Sequence, residues 1–576
     1  MPITQSAPSR WFKLVHSTSL LSIALSVLVA SHASEPPSVA AVPSGDFNGD
    51  SAIDARDYSL LVSKIGQTAC TYNLTGTCEI DVYDVNELFT LMIPPVAQGS
   101  ALVYDVAQLD TTFTGTVKAG STTQPLKFRT IRSADFGYGS KVNTDYKTTI
   151  ARMATDTSLQ IAVTLPKNPA WAVLYSAQSE LPTQIQGNKV SFTLPTGPAV
   201  YVLKTNVATE NSPYAESLAF WIDDLKQLAL NPPAGSIQLS PGADLQTIIN
   251  QAAPNTTIYL KPGLFEYESL SIRQKTNLRL VLHPSAVLAQ IKTHPCRNSS
   301  PCDDFLTISQ SNNITISGPG EIRTPAQMAT LALNIVDSDT VTLRDFFLYK
   351  IHHEDGWTLH PSKSNNVLVE DVRIITGNDG IDPDSSTNLR FNRMHIVSQD
   401  DGVAIKTRGD MSIDQLLFAN SIVHSAASAL KIGEATVLRT ITNVTFENNL
   451  VLDSDRGFIV TPRGRDGDIG SIGNVLYKNN RIRFMYKNEQ GRSIIVQKSQ
   501  QEDGGAGSPF NKNTSIVFEN NDIEVIEPLL LNTSIKIINS TLRLNRPMEI
   551  FEGGSCPSIT NLTLDWQNGT GSQHCK

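Results

Sequence analysis

Charge is scarce in this chain. Of 576 residues only 18% are Asp, Glu, Lys or Arg, and the balance is acidic, with a formal net charge of −9. A surface that binds duplex nucleic acid needs a basic face to displace counterions, so no nucleic-acid partner is expected. Aromatic residues are few, at 7%. Long apolar runs are missing but for Leu20 to Ala30, which is too short to span a bilayer comfortably. Arg10 and Lys13 precede that run and Ser31-His32-Ala33, a small-x-small cleavage site, follows it, the pattern of a secretory signal peptide. Residues 1–33 are therefore expected to be removed, leaving a mature chain with no membrane span, secreted and either free or held at a cell surface. Cysteine is limited to six residues, in three pairs close in sequence: Cys70 with Cys78, Cys296 with Cys302, Cys556 with Cys575. Such pairs suit short-loop disulfides formed in an oxidising compartment. No pair has the second pair or the histidines that a zinc site requires.

What is present begins with 40% apolar residues, enough for a sizeable core in about three units. Asp46 to Asp57 reads D-F-N-G-D-S-A-I-D-A-R-D. Asp46, Asn48, Asp50, Asp54 and Asp57 stand at loop positions 1, 3, 5, 9 and 12, a spacing that wraps hard oxygens round one calcium ion. A helical apolar pattern follows, with Tyr58, Leu61, Val62 and Ile65, and a weaker copy of the loop runs from Asn73 to Asp84. With Asp at position 12, residues 44–95 resemble a dockerin module. The resemblance implies bound calcium and a cohesin-like scaffold or cell-surface partner; both loops depart from the duplicated dockerin pattern. Residues 100–230 follow, with alternating segments such as Ser191 to Leu194 and Val200 to Leu203 separated by turn residues. That is the spacing of a β-sandwich. Trp171, Tyr175 and Trp221 are its candidates for stacking on sugars, and a plain packing role is the alternative.

From 235 to the end a short phrase recurs: a polar residue, often Asn, then alternating apolar and polar residues. It starts at Asn313, Thr340, Asn366, Asn388, Gln415, Asn443, Asn474, Ser515, Ser534 and Asn561. Most intervals are about 22 to 28 residues, one rung of a β-helix. Each rung leaves an edge that only its neighbour pairs, so the copies stack. A short helix capped by Asp244, with Leu245, Ile248, Ile249 and Ala252 on one face, is expected to cover the open end. The fold expected is all-β: a right-handed parallel β-helix over 235–576, preceded by the sandwich and the small α-helical calcium module.

The repeat also acts as a ruler. Thirteen residues beyond successive anchors stand His353, Asp379, Asp401, Ser428 and Arg456. If the rungs keep register, these five side chains form one column, with Asp400 beside Asp401. Three crowded carboxylates repel one another, which raises at least one pKa and separates a protonated acid from ionised bases. That division is what glycoside hydrolysis needs. A structural ladder of like side chains, or carboxylates holding calcium, are the other readings of the same column. Eighteen residues beyond their anchors, Asp384 and Lys406 are expected to pair across rungs.

Asn378-Asp379-Gly380-Ile381-Asp382, then Ser398-Gln399-Asp400-Asp401-Gly402, resembles the N-x-D…D-D motif of polygalacturonase-like glycoside hydrolases, as does Trp357-Thr358-Leu359-His360-Pro361. The likeness covers roughly residues 240–500. It implies Asp400 as general acid and Asp379 with Asp401 as the pair activating water, in a single displacement with inversion and without a catalytic cofactor. The family's G-H-G histidine would fall at Ser428, and its R-I-K motif at Ile459-Val460-Thr461, so the residues that grip a uronate are missing. Lys431 and Arg456, or His353 and His424, are candidates to replace them. β-Helical dextranases and related α-glucanases keep three aspartates without those motifs, and several carry a β-sandwich first. The substrate expected is a polysaccharide, either a neutral α-glucan or a pectic or other acidic glycan. Trp357, Phe458, Phe484 and Tyr486 are candidate sugar-stacking rings. Arg463, Arg465, Arg481, Arg483, Lys487 and Arg492 form either a solvated loop or distal subsites. A β-helical lyase or epimerase, and a non-catalytic glycan-binding solenoid, are the alternative functions.

Overall fold

The pattern of period two that marks the repeat becomes a stack of parallel strands. The structure, a computed structural model, describes most of residues 159–566, the strands between 102 and 154, and a few positions from Gly45 to Leu74. The leader, the loop positions Asp46, Asn48, Asp50, Asp54 and Asp57, five of the six cysteines, His353, Phe484 and Tyr486 lie outside the described residues. Among the described residues, every strand pairing from Ile237 onward is parallel and joins one rung to the next. The strands form a 13-stranded face, a 12-stranded face, and a third face of four strands and then seven. Val367, Leu389, Leu416, Val444 and Val475 stand in register and fill the interior, while the residues between them point out. The chain is thus a parallel β-helix with one continuous apolar core.

The anchors have a backbone explanation. Asn313, Thr340, Asn366, Asn388, Gln415, Asn443 and Asn474 all have φ between 50° and 59°; Asn561 is also left-handed, but at the corner after its strand, where it donates to Asn539 and is not an anchor. Asn reaches this left-handed region at lower cost than other side-bearing residues. The pairing skips these anchors: Asn365 pairs with Thr387 and Val367 with Leu389, leaving Asn366 opposite Asn388, and the same skip recurs on the rungs through Asn474. A second ladder lies inside the next corner. Asn449, Asn480 and Asn521 are buried, and each amide oxygen accepts the backbone N–H of the rung before, at 3.0 Å for Asn480 and 2.8 Å for Asn521. Within the core Phe446, Tyr477 and Phe518 stack at 4.9 and 4.8 Å, with Phe458 on Tyr477 at 4.5 Å. The helix Leu245–Gln251 closes the first rung as expected. Asp244 caps it by accepting from the Thr247 amide at 2.9 Å, and Leu245 and Ile249 are buried in the core.

Ahead of the solenoid, a seven-stranded and a five-stranded sheet are built from residues 102–223, antiparallel except where Glu216–Asp223 runs parallel to Lys147–Ala154. Leu159, Ile161, Val163, Leu174, Val190 and Leu203 belong to the core between them. This sandwich touches the solenoid through polar and charged groups, among them Gln178, which donates to Asn420 at 3.0 Å. Lys204, 4% exposed, pairs with Asp453, and Arg481 donates to Glu180 at 2.6 Å. On the 12-stranded face Ile375, Val397, Ile422 and His424 are buried although they point away from the core residues Ile374, Ile396 and Val423. The outer side of that stretch is therefore covered.

Candidate active site

The third face breaks where the aspartates stand. Between its four-stranded and seven-stranded parts, the rung of Ile381 and Asp384 makes only isolated bridges, Leu359 to Ile381 to Val403. Pro383 sits in that rung and has no N–H to give the ladder. Backbone register survives: Thr358 N donates to Asp379 O, Gly380 N to Asp401 O and Gly402 N to Ser428 O. Asp379, Asp401 and Ser428 therefore form the column that the rung count expects, and Ser428 pairs with Arg456 on the next rung. On the rung before, the same hydrogen bonds put Trp357 in the column instead of His353, because the chain between Thr340 and this strand is longer than in the later rungs. Gly380 and Gly402 let the rungs close up. A Cβ on Gly380 would lie 2.5 Å from Gly402 O, and one on Gly402 2.7 Å from Ala429 O.

Carboxylate oxygens of Asp379, Asp400 and Asp401 lie within 4.8 Å of one another. Asp379 Oδ1 accepts the Asp401 amide at 3.0 Å, and Asp401 Oδ1 accepts the Ser428 amide at 3.1 Å. Lys406 Nζ donates to Asp379 Oδ2 at 3.0 Å and also to Asp382. Lys431 Nζ donates to Asp401 Oδ2 at 2.5 Å. Asp400 is partly exposed and has no ion-pair partner among the described residues. Burial, then the charges of Asp401 and Asp379, push it up to about 7 against the opposing pull of Lys431 and Lys406. For Asp401, burial alone would raise the value, but Lys431 and Arg456 outweigh it and hold the group below the ordinary carboxylate range. Two neighbouring carboxyls are thus pushed in opposite directions, the division that acid–base cleavage of a glycoside uses. Three carboxylates this close also suit a divalent cation, but two ammonium groups already supply the local positive charge.

Several expectations are corrected. Phe458 faces the core, 0% exposed against Tyr477, and stacks on no sugar. His424 is buried on the opposite, covered face beside His395, where burial lowers both imidazoles to about 3. Lys406 is in backbone register with Asp384, but its side chain turns back to Asp382 and Asp379, the pair left bare on the broken rung. Arg481 and Arg483 line no distal subsite; they hold Glu180 of the sandwich, and Arg483 also holds Asp522. Arg456 stays near the column, 3.9 Å from Asp455.

Three residues at the site were not assigned roles from the sequence. Asp382 is wholly buried, and burial followed by Asp379 raises its pKa well above the usual value. His360 places Nδ1 2.8 Å from Asp382 O. A carbonyl only accepts, so Nδ1 carries the proton and Nε2 presents its lone pair. Burial lowers this imidazole to about 4, so it is neutral. Arg408 lies over the Trp357 ring at 3.9 Å, Lys406 at 4.7 Å, and Trp357 packs on His360 at 4.8 Å. Asp382 and His360 both stood inside recognisable motifs; Arg408 gave no signal, because it lies beyond the strand and outside the repeat.

A solenoid with three converging carboxylates on one face is the build of a β-helical carbohydrate-active enzyme. Residues 289–525, all within the solenoid, match the family described as Glycosyl hydrolases family 28. A probable polygalacturonase of Vitis vinifera is 33% identical over 130 residues, 20% of this chain and 26% of that protein. The chain spans about a quarter of the length of the curated relatives it matches. Among solved structures, the Yersinia enterocolitica family 28 exopolygalacturonase is 12% identical with a TM-score of 0.42, over 72% of this chain and 96% of that one. The catalytic domain of a GH87 alpha-1,3-glucanase in complex with nigerose is 14% identical with a TM-score of 0.33, over 81% and 88%.

Proposed function

We propose that the protein is a polysaccharide-cleaving glycoside hydrolase in which Asp400 is the general acid and Asp379 with Asp401 activates water. The observation that carries this is the geometry of one cluster: three carboxylates have oxygens within 4.8 Å, lysines hold Asp379 and Asp401, and Asp400, bonded by neither, is pushed up to about 7. Asp400 then keeps a proton for the leaving glycosidic oxygen. The other two carboxylates accept both hydrogens of one water, leaving its lone pair for the anomeric carbon with inversion. Oxygen separations within 4.8 Å are shorter than the roughly 6.5–9.5 Å usual between inverting carboxyl groups. That spacing favours a second reading, retention through a covalent intermediate on one aspartate. Proton NMR of the first product decides: the inverted anomer supports the single displacement, and the retained anomer replaces it.

The substrate is a pectic polysaccharide or an α-glucan. Positions 428, 459 and 461 carry Ser, Ile and Thr, none more than 1% exposed. Lys406 and Lys431 are engaged by aspartates. Polygalacturonate, rhamnogalacturonan, dextran and α-1,3-glucan are the substrates to compare, with Asp400→Asn as control. Release of reducing ends from none of them sinks the hydrolase reading. An unsaturated product absorbing in the ultraviolet would replace it with a lyase. Export, calcium at Asp46, Asn48, Asp50, Asp54 and Asp57, and a cohesin-like partner rest on sequence pattern alone. Calorimetric titration of the secreted protein with calcium tests the loop.

A further inference from the structure

The three clustered aspartates differ in what holds them. Lys406, in the strand Val403–Thr407, reaches back 27 residues in sequence to Asp379. Lys431, in the strand Ser428–Val437, reaches back 30 residues to Asp401. In both cases the lysine comes from the rung after its aspartate. Both lysines are buried, 5% and 9% exposed, where charge interactions are poorly screened. Lys406 is gripped from behind by Asp382, which is 0% exposed and so closed to a substrate. Lys406 is the ammonium that this buried carboxylate meets, and Asp379 is its near neighbour on the other side. Asp400, one residue from Asp401, is bonded by no lysine.

Building on the hydrolase reading, we propose that Lys406 and Lys431 are positioning residues: each fixes one water-side carboxylate, Asp379 or Asp401, from the following rung and leaves the shared proton to Asp400. Carboxylates a few ångströms apart compete for one proton, and an ammonium on an outer oxygen competes with the proton for that oxygen. Two lysines on two of three carboxylates direct the proton to the third. They also temper that third group. Burial and its neighbours push Asp400 up, and the two ammonium charges pull it back, so that it still gives up its proton near neutrality. Neither ammonium is then left for a substrate carboxylate.

The test uses the full-length protein as wild type, Lys406→Met, Lys406→Arg, Lys431→Met and Asp400→Asn. A water-soluble carbodiimide attacks protonated carboxyls, and mass spectrometry of the Asp400 peptide against pH reads the protonation of Asp400 without substrate. The midpoint is expected to rise by at least about half a pH unit in both Met variants and to stay near wild type in Lys406→Arg. With a cleaved polysaccharide, the Met variants are expected to lose about 10–100-fold in kcat with KM held, the alkaline limb moving with the labelling midpoint. An unmoved midpoint in a Met variant that is folded by circular dichroism overturns the proposal. So does a rise in KM at constant kcat, which would make the lysines substrate ligands. If Lys406→Met does not fold, Lys431→Met carries the same test. Full activity in Asp400→Asn would remove the hydrolase reading itself, while the labelling midpoint would still judge the lysines.

Discussion

Asp379 accepts the backbone amide of Asp401 at 3.0 Å, and Asp401 accepts that of Ser428 at 3.1 Å, so each water-side carboxylate is aimed by the main chain of the next rung. An asparagine keeps the accepting oxygen and loses the charge. Asp379→Asn and Asp401→Asn are therefore expected to fold with unchanged circular dichroism and to lose about 10²–10⁴-fold in kcat. A variant at either position that keeps wild-type kcat would remove that residue from the water-side pair.

The same cluster sets a pH dependence. Asp400 must be protonated to act, and it is pushed up to about 7, so kcat/KM is expected to fall as pH rises through about 7. The stability contribution has the sign of a raised carboxylate. It is full below the ordinary value of 3.8 and is lost as pH rises through about 7. Asp401, held low, contributes in the opposite sense: its stabilisation is present above 3.8 and is lost as pH falls through its lowered folded value. Asp400→Asn is expected to abolish the alkaline limb together with the activity, and a rate profile flat across pH 6–8 in the wild type would contradict the assignment.

The column of Asp379 and Asp401 was legible because the side-chain period and the rung length are backbone properties, and the left-handed anchors made the repeat countable. The count failed at His353, where extra residues enter the rung, since a ruler built on constant length cannot see an insertion. Phe458 was misread for a related reason. In Arg456-Gly457-Phe458 an inward and an outward ring look alike, and only pairing with Leu430 fixes the face. Lys406 was assigned the wrong aspartate because its side chain leaves its own register neighbour, Asp384, for the broken rung before it.

Tyr477 lies in the aromatic stack between Phe446 and Phe518, and its buried hydroxyl has no hydrogen-bond partner among the described residues. An unmade hydrogen bond in a core costs about 1–3 kcal/mol. Tyr477→Phe keeps the ring and removes the orphan, and is expected to stabilise the protein by about that amount in urea denaturation. A destabilisation instead would mean that the hydroxyl is satisfied.

His395 and His424 meet edge to face at 5.4 Å on the covered side of the solenoid. Burial lowers both to about 3, with Arg373 adding to the effect at His395. A lowered histidine stabilises fully above its unfolded value of 6.5, and that stabilisation is lost as pH falls toward 3. Each contributes a slope of up to about 1.4 kcal/mol per pH unit in that window. His395→Leu is expected to flatten the melting temperature between pH 6.5 and 4 relative to wild type. An unchanged slope would show that the imidazole is already solvated at neutral pH.

The sandwich meets the solenoid at Lys204 and Asp453, both nearly closed to solvent. Burial raises the Asp453 carboxyl, and Lys204 only partly offsets it, so the pair is held against a desolvation cost. Removing one partner leaves the other charged in a dry interface. Lys204→Met and Asp453→Leu are each expected to cost about 3–5 kcal/mol in urea denaturation. The double variant is expected to recover most of that loss, because an apolar pair needs no hydration. If the single variants cost no more than an exposed pair, under about 1 kcal/mol, water reaches this junction and the sandwich is not locked to the rungs it covers.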